Sequence, residues 1–187
     1  MKINILTIIP TSGSFEEFHF GKSFCDSLWI DFNISEDNHW IGCFSKSYEN
    51  GPNKVLFDEI DKTCCVVAGG KGYLINVENK KVIFETEEHP LVESLVKSKE
   101  PNFYFLGNFY SIYVLDKNGL FKEIEPKIMV DGIYLEYQDR NKIIGKVDSP
   151  ENQYERPLAI SIDIETLEFD EINQKAQTNF FKKIFGK

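Results

Sequence analysis

Between residues 39 and 172 the chain is written as short β-branched and aromatic runs separated by Asn, Asp and Gly. Runs at 40–44, 55–57, 64–67, 73–77 and 82–84 are followed by others at 103–106, 112–115, 120–124, 133–137, 143–144, 158–162 and 167–169. Segments such as Asn50-Gly51, Gly69-Gly70, Asn118-Gly119 and Arg140-Asn141 punctuate them. That pattern is how antiparallel hairpins read. A strand–turn–strand unit recurs at 75–85, 114–123, 136–146 and 162–171, but its turns fall at irregular spacing, unlike a strict propeller repeat. Closed propellers need at least about four blades of four strands, and the pattern supplies about three. The expected fold is therefore mostly β: an antiparallel meander of hairpins forming a sandwich or a partial propeller-like sheet.

Upstream, Phe18, Phe20 and Phe24 alternate, as do Leu28, Ile30, Phe32 and Ile34, which predicts strands with one buried face. Residues 1–9 alternate weakly and lack the long apolar region and small-residue cleavage site of a secretory signal, so they read as a first strand. Pro90 at a potential first turn makes 91–99 a short helix or an irregular crossing. In the last fifteen residues Ala176, Phe180, Phe181, Ile184 and Phe185 recur at three- and four-residue spacing among Lys175, Lys182 and Lys183. This is a basic amphipathic pattern, expected as a C-terminal helix packed on the sheet. The organisation expected is thus one antiparallel β domain over 1–172 and a helix over 173–187.

Charge narrows the function. The chain of 187 residues has a net charge of −9, but its first 172 residues hold 17 Lys and Arg against 30 Asp and Glu, a net −13. Such a body is repelled by phosphate backbones, so direct nucleic-acid binding is not expected. No apolar run reaches the roughly 20 residues of a membrane-spanning helix. The four cysteines (Cys25, Cys43, Cys64 and Cys65) do not form a disulfide framework, which points to the cytoplasm.

Chemistry-bearing motifs fail one by one. Gly69, Gly70 and Gly72 precede a strand-like run instead of the helix a phosphate-cradling loop requires, and Ile75 stands where a third glycine belongs. His39 and Cys43 share a face if they lie on one strand, yet adjacent Cys64 and Cys65 point to opposite faces and no Cys-x-x-Cys occurs. His19 and His89 have no nucleophile pattern beside them, and there is no Gly-x-Ser-x-Gly elbow. Abundant carboxylates without a distinctive spacing do not make a glycosidase. No catalytic residue, cofactor or metal is expected. The aromatics at 103–105, 109, 110 and 113 have little basic company and read as core, whereas Tyr48, Tyr110 and Tyr154 fall near loops and suit interface anchors.

Residues 40–44 (WIGCF), 65–77 (CVVAGGKGYLINV), 131–133 (DGI) and 157–163 (PLAISID) resemble a family of small, largely uncharacterised bacterial β proteins. In overall character the chain also resembles the immunity proteins of bacterial toxin systems, including contact-dependent growth inhibition. That resemblance implies a cytoplasmic, non-enzymatic protein that neutralises a cognate toxin. The toxin would be a basic nuclease, for example an EndoU-type ribonuclease, whose active site or RNA-binding surface is covered. The residues singled out for the contact are Glu36, Asp37, Glu87 and Glu88, with Asp148, Glu151 and Tyr154 in the polar loop between Val147 and Leu158. The alternative is a small-molecule or sugar-binding β domain, or a weak hydrolase, with an aromatic-lined pocket.

Overall fold

The computed structural model describes residues 2–11, 13, 15–22, 26–150 and 157–172. Among these, sixteen strands form four separate four-stranded sheets. Sheet 1 contains β1 (Lys2–Ile5), β2 (Glu16–Phe20), β3 (Ser27–Ser35) and β4 (Asn38–Ser45) in the order β1-β3-β4-β2. Sheet 2 is the meander β5 (Lys54–Asp58), β6 (Thr63–Ala68), β7 (Lys71–Asn76) and β8 (Lys81–Glu85). Sheet 3 runs β9 (Val92–Lys97), β10 (Tyr104–Asn108), β11 (Ile112–Asp116) and β12 (Gly119–Ile124). Sheet 4 runs β13 (Ile133–Asp139), β14 (Lys142–Val147), β15 (Leu158–Asp163) and β16 (Phe169–Glu171).

The sheets stack in chain order, because period-two alternation gives each strand two faces. Cys64, Val66, Ala68, Tyr73 and Ile75 pack against Leu28, Ile30, Phe32, Trp40 and Phe44 of sheet 1. From the same strands Cys65, Val67 and Leu74 turn the other way, onto Val92, Leu95, Tyr104 and Leu106 of sheet 3. Phe105, Ile112 and Val114 then meet Ile133, Leu135, Ile143 and Ile160 of sheet 4. Sheets 2 and 3 are thus buried on both faces, which explains why their inner strands read as unbroken apolar runs. Among the described residues no apolar cluster joins sheet 4 to sheet 1.

Each of the three interfaces carries a buried polar stitch. The Tyr73 hydroxyl donates to the Ser45 carbonyl (2.8 Å) and the Tyr104 hydroxyl to the Thr63 carbonyl (3.0 Å). Ser94 Oγ donates to the Ile133 carbonyl (2.9 Å) and accepts the Leu135 N–H (2.8 Å). In an apolar interface a hydroxyl without a partner is costly, so these bonds fix the sheet-to-sheet register.

Glycine matters where rings or turns crowd the backbone. A Cβ on Gly42 would lie 2.6 Å from the Phe44 ring and 2.9 Å from the Phe32 ring. Its absence lets Phe32 stack on Trp40, with ring centroids 4.0 Å apart. Gly69 and Gly70, both at positive φ, close the β6–β7 hairpin expected from the sequence.

Three expectations are corrected. In place of the expected sandwich or partial propeller-like sheet of about three four-stranded units stand four four-stranded sheets packed face to face, so the pattern under-counted the strands. It is also not wholly antiparallel, since β2 runs parallel to β4, pairing Glu16 with Trp40 and Phe20 with Phe44. The segment after Pro90 is strand β9, because Val92, Leu95 and Val96 are buried between neighbouring sheets. No α-helix occurs among the described residues. The C-terminal helix expected over 173–187 lies outside the described residues.

Candidate interaction surface

Strands β5, β9 and β13 begin at one end of the stack, here the upper end, and finish at the lower end. Main-chain bonds confirm the alignment of neighbouring sheets: at the upper end Val92 N–H donates to Gly70 O (2.8 Å) and Gly132 N–H to Phe109 O (3.1 Å).

At the lower end the carboxylates are largely committed to structure. Asp58 is buried and closes the β5–β6 turn by accepting the Ile60 and Asp61 N–H groups at 2.8 and 2.7 Å. It also forms an ion pair with Lys97 of sheet 3. Burial pushes the Asp58 carboxyl up, but Lys97, the Asp61 N–H and Asn102 together hold it below the usual carboxylate range. Asp61 in turn accepts from Asn102 Nδ2 (3.0 Å) and lies 3.6 Å from Lys117 Nζ. Asp163 caps the β15–β16 turn through the Glu165 and Thr166 N–H groups, both at 3.0 Å. Glu36 and Asp37 stand at this end too, exposed in the β3–β4 turn.

The upper end differs. Tyr48, Tyr110 and Met129 are exposed there at 58, 63 and 61%. The Tyr110 turn is held by Asn108, whose Oδ1 accepts the Tyr110 and Ser111 N–H groups at 2.7 and 2.8 Å. Beside it, Asp131 N–H donates to Asp148 O (2.8 Å), so two acidic residues meet. The Tyr134 phenol is pushed up first by burial and then by the nearby carboxylates of Asp148 and Glu93. Glu87 and Glu88 are exposed at the same end. Glu88 is held below its ordinary value mainly by its bond to Lys22.

The sequence-chosen residues therefore do not form one patch. Glu87, Glu88 and Asp148 share the upper end, Glu36 and Asp37 occupy the lower, and Glu151 and Tyr154 lie outside the described residues. Reasoning from sequence missed Met129, Asp131 and Glu93. Met129 and Asp131 sit in the 125–132 connection, and the main-chain bond from Gly132 to Phe109 is what brings Asp131 to the Tyr110 turn.

The outer face of sheet 1 carries the third grouping. Register across β2, β4 and β3 sets Glu17, Ile41 and Asp31 in one row and His19, Cys43 and Trp29 in the next. Asp31 Oδ1 lies 2.7 Å from His39 Nε2, and Glu17 Oε2 lies 3.7 Å from His19 Nε2. Burial pushes the Cys43 thiol up, so it is no activated nucleophile. Cys43 and His39 do share a face, yet among the described residues no group of three or more His, Cys, Asp or Glu side chains is placed to hold a metal ion.

No family model matches the chain, and no curated protein sequence does either. Solved structures give weak likenesses. The β-propeller domain of Myceliophteria thermophila Cps50 (Swd1) aligns with 12% identity over 65% of this chain and 38% of its own, TM-score 0.43. Saccharomyces cerevisiae Sqt1 aligns with 10% identity over 76% and 43%, TM-score 0.47. A eukaryotic initiation factor aligns with 16% identity over 92% and 43%, TM-score 0.45. The chain thus spans about two-fifths of the length of these structures. The described residues form an all-β fold, and no comparison points to a growth-inhibition immunity family.

Proposed function

We propose that this chain is a protein-recognition module, without catalytic activity of its own, that engages a basic partner through the upper end of sheets 3 and 4. The observation that carries this reading is the exposed Tyr110, whose turn is bonded through Phe109 to Gly132, next to Asp131, at the end where Asp131, Asp148 and Glu93 gather around Tyr134. Aromatic and methionine side chains supply affinity at the centre of an interface, while a surrounding negative field speeds encounter with a cationic surface. The partner class is a cognate bacterial toxin, a basic nuclease such as an EndoU-type ribonuclease, neutralised when its active site or RNA-binding surface is covered. The footprint takes in Asp148, Glu87 and Glu88 but leaves Glu36 and Asp37 outside.

The test mixes the purified chain with the product of a neighbouring toxin-like reading frame and follows both complex formation and RNA cleavage. The expected result is a micromolar or tighter complex that blocks cleavage and associates more slowly as salt rises. Tyr110→Ala with Met129→Ala should weaken it by about tenfold or more, the scale of a central anchor. A nuclease that cleaves RNA at full rate in the presence of excess chain overturns the reading.

A further inference from the structure

The row of Glu17, Ile41 and Asp31 on the outer face of sheet 1 does not lie open to water along its length. Residues 6–11 and Phe15 cross over it and leave a cleft of about 390 Å³, within the ordinary range for small-ligand sites. Leu6, Ile8, Ile9, Pro10 and Phe15 form its walls and the buried Ile41 lies at its base. Ile8 and Ile9 are exposed at 81 and 68%, an unusual display for large aliphatic side chains on one short segment. The polar lining is Asp31 and His39, with Thr11, and the Phe15 ring centroid lies 4.9 Å from that of the imidazole.

Asp31 uses Oδ1 for His39, and its Oδ2 accepts no hydrogen bond among the described residues. A carboxylate offers about four acceptor sites, so this one is only partly satisfied. An apolar ligand filling the cleft would strip water from that carboxylate. A neutral ligand would leave the charge uncompensated and an anionic one would be repelled. A cationic N–H donor fills the walls and replaces the lost hydration with the strongest bond, a charge-assisted one.

We propose that this cleft is a binding site for hydrophobic amines, with the apolar group against Ile8, Ile9, Phe15 and Ile41 and the ammonium on Asp31. The site stands apart from the upper-end surface and does not rest on the function proposed for it.

The experiment titrates the isotopically labelled chain with phenethylamine, 2-phenylethanol and phenylacetate, following amide chemical shifts. The amine should bind saturably, about tenfold tighter than the alcohol, as a charge-assisted bond predicts. Shifts should concentrate at Leu6, Ile9, His39 and Ile41, and phenylacetate should not saturate. In Asp31→Asn the amine and alcohol should bind alike. Equal binding of amine and alcohol to the unaltered chain, saturable binding of none of the three, or shifts away from the cleft would overturn the proposal, whether or not the variant folds.

Discussion

The two ends of the stack use the same side chains for opposite purposes. At the lower end Asp58, Asp61 and Asp163 are bound to turn N–H groups or to lysines, and their charge is consumed in holding hairpins and neighbouring sheets together. At the upper end Glu87 and Asp131 are exposed, and Asp148 leaves its carboxylate beside the Tyr134 phenol. A count of acids along the chain treats both ends alike. The distinction lies in whether a carboxylate falls two or three residues before a backbone N–H that a tight turn leaves unpaired.

The contrast can be broken most directly at Asp58. Asp58→Ala should lower the unfolding free energy by about 3–5 kcal/mol, because Lys97 and the turn lose their shared partner together. Urea denaturation measures it, and a loss below about 1 kcal/mol would place Asp58 with the merely exposed acids of the other end. Next in size, Ser94→Ala near the upper end should cost about 1–3 kcal/mol by removing the stitch from sheet 3 to sheet 4. That would show the upper end to be structural through hydroxyls and not through charge.

The smallest expected effect concerns pH. The Asp58 carboxyl lies lower in the folded chain than when unfolded, so its contribution is fully present above the ordinary carboxylate range. It is lost as pH falls through the depressed folded value. Melting temperature between pH 6 and pH 3 should therefore drop less steeply in Asp58→Asn than in the unaltered chain. Parallel curves would assign the acid sensitivity to other carboxylates.

Legibility in the sequence followed the hairpins. Sheets 2 and 4 were plain, because Gly69-Gly70 and Arg140-Asn141 fall between β-branched runs whose partners are adjacent in sequence. Cys64 and Cys65 were expected on opposite faces, and they enter two different cores. Sheet 1 was opaque as an assembly: its alternation showed strands, but pairing β2 with β4 in parallel needs a crossover that no turn residue announces. The strand after Pro90 was hidden because Glu93, Ser94 and Lys97 interrupt its apolar positions. Ser94 and Lys97 are spent on contacts with sheets 4 and 2, which local pattern does not reveal. The same limit applies to function: Tyr110 is a candidate anchor from sequence, but Asp131 is brought to its turn only by a main-chain bond between Gly132 and Phe109.

Because the sheets lie one upon another in the order they are encoded, each apolar core among the described residues is shared by consecutive sheets. Stability is then transmitted like that of a short linear array, with cooperativity passing from neighbour to neighbour. Sheets 1 and 4 each have one outer side with no sheet against it among the described residues, so the array opens from its extremities while the doubly covered central pair holds. A chain built this way can also consolidate progressively from its amino terminus, since no early strand must wait for a distant late one to find its partner.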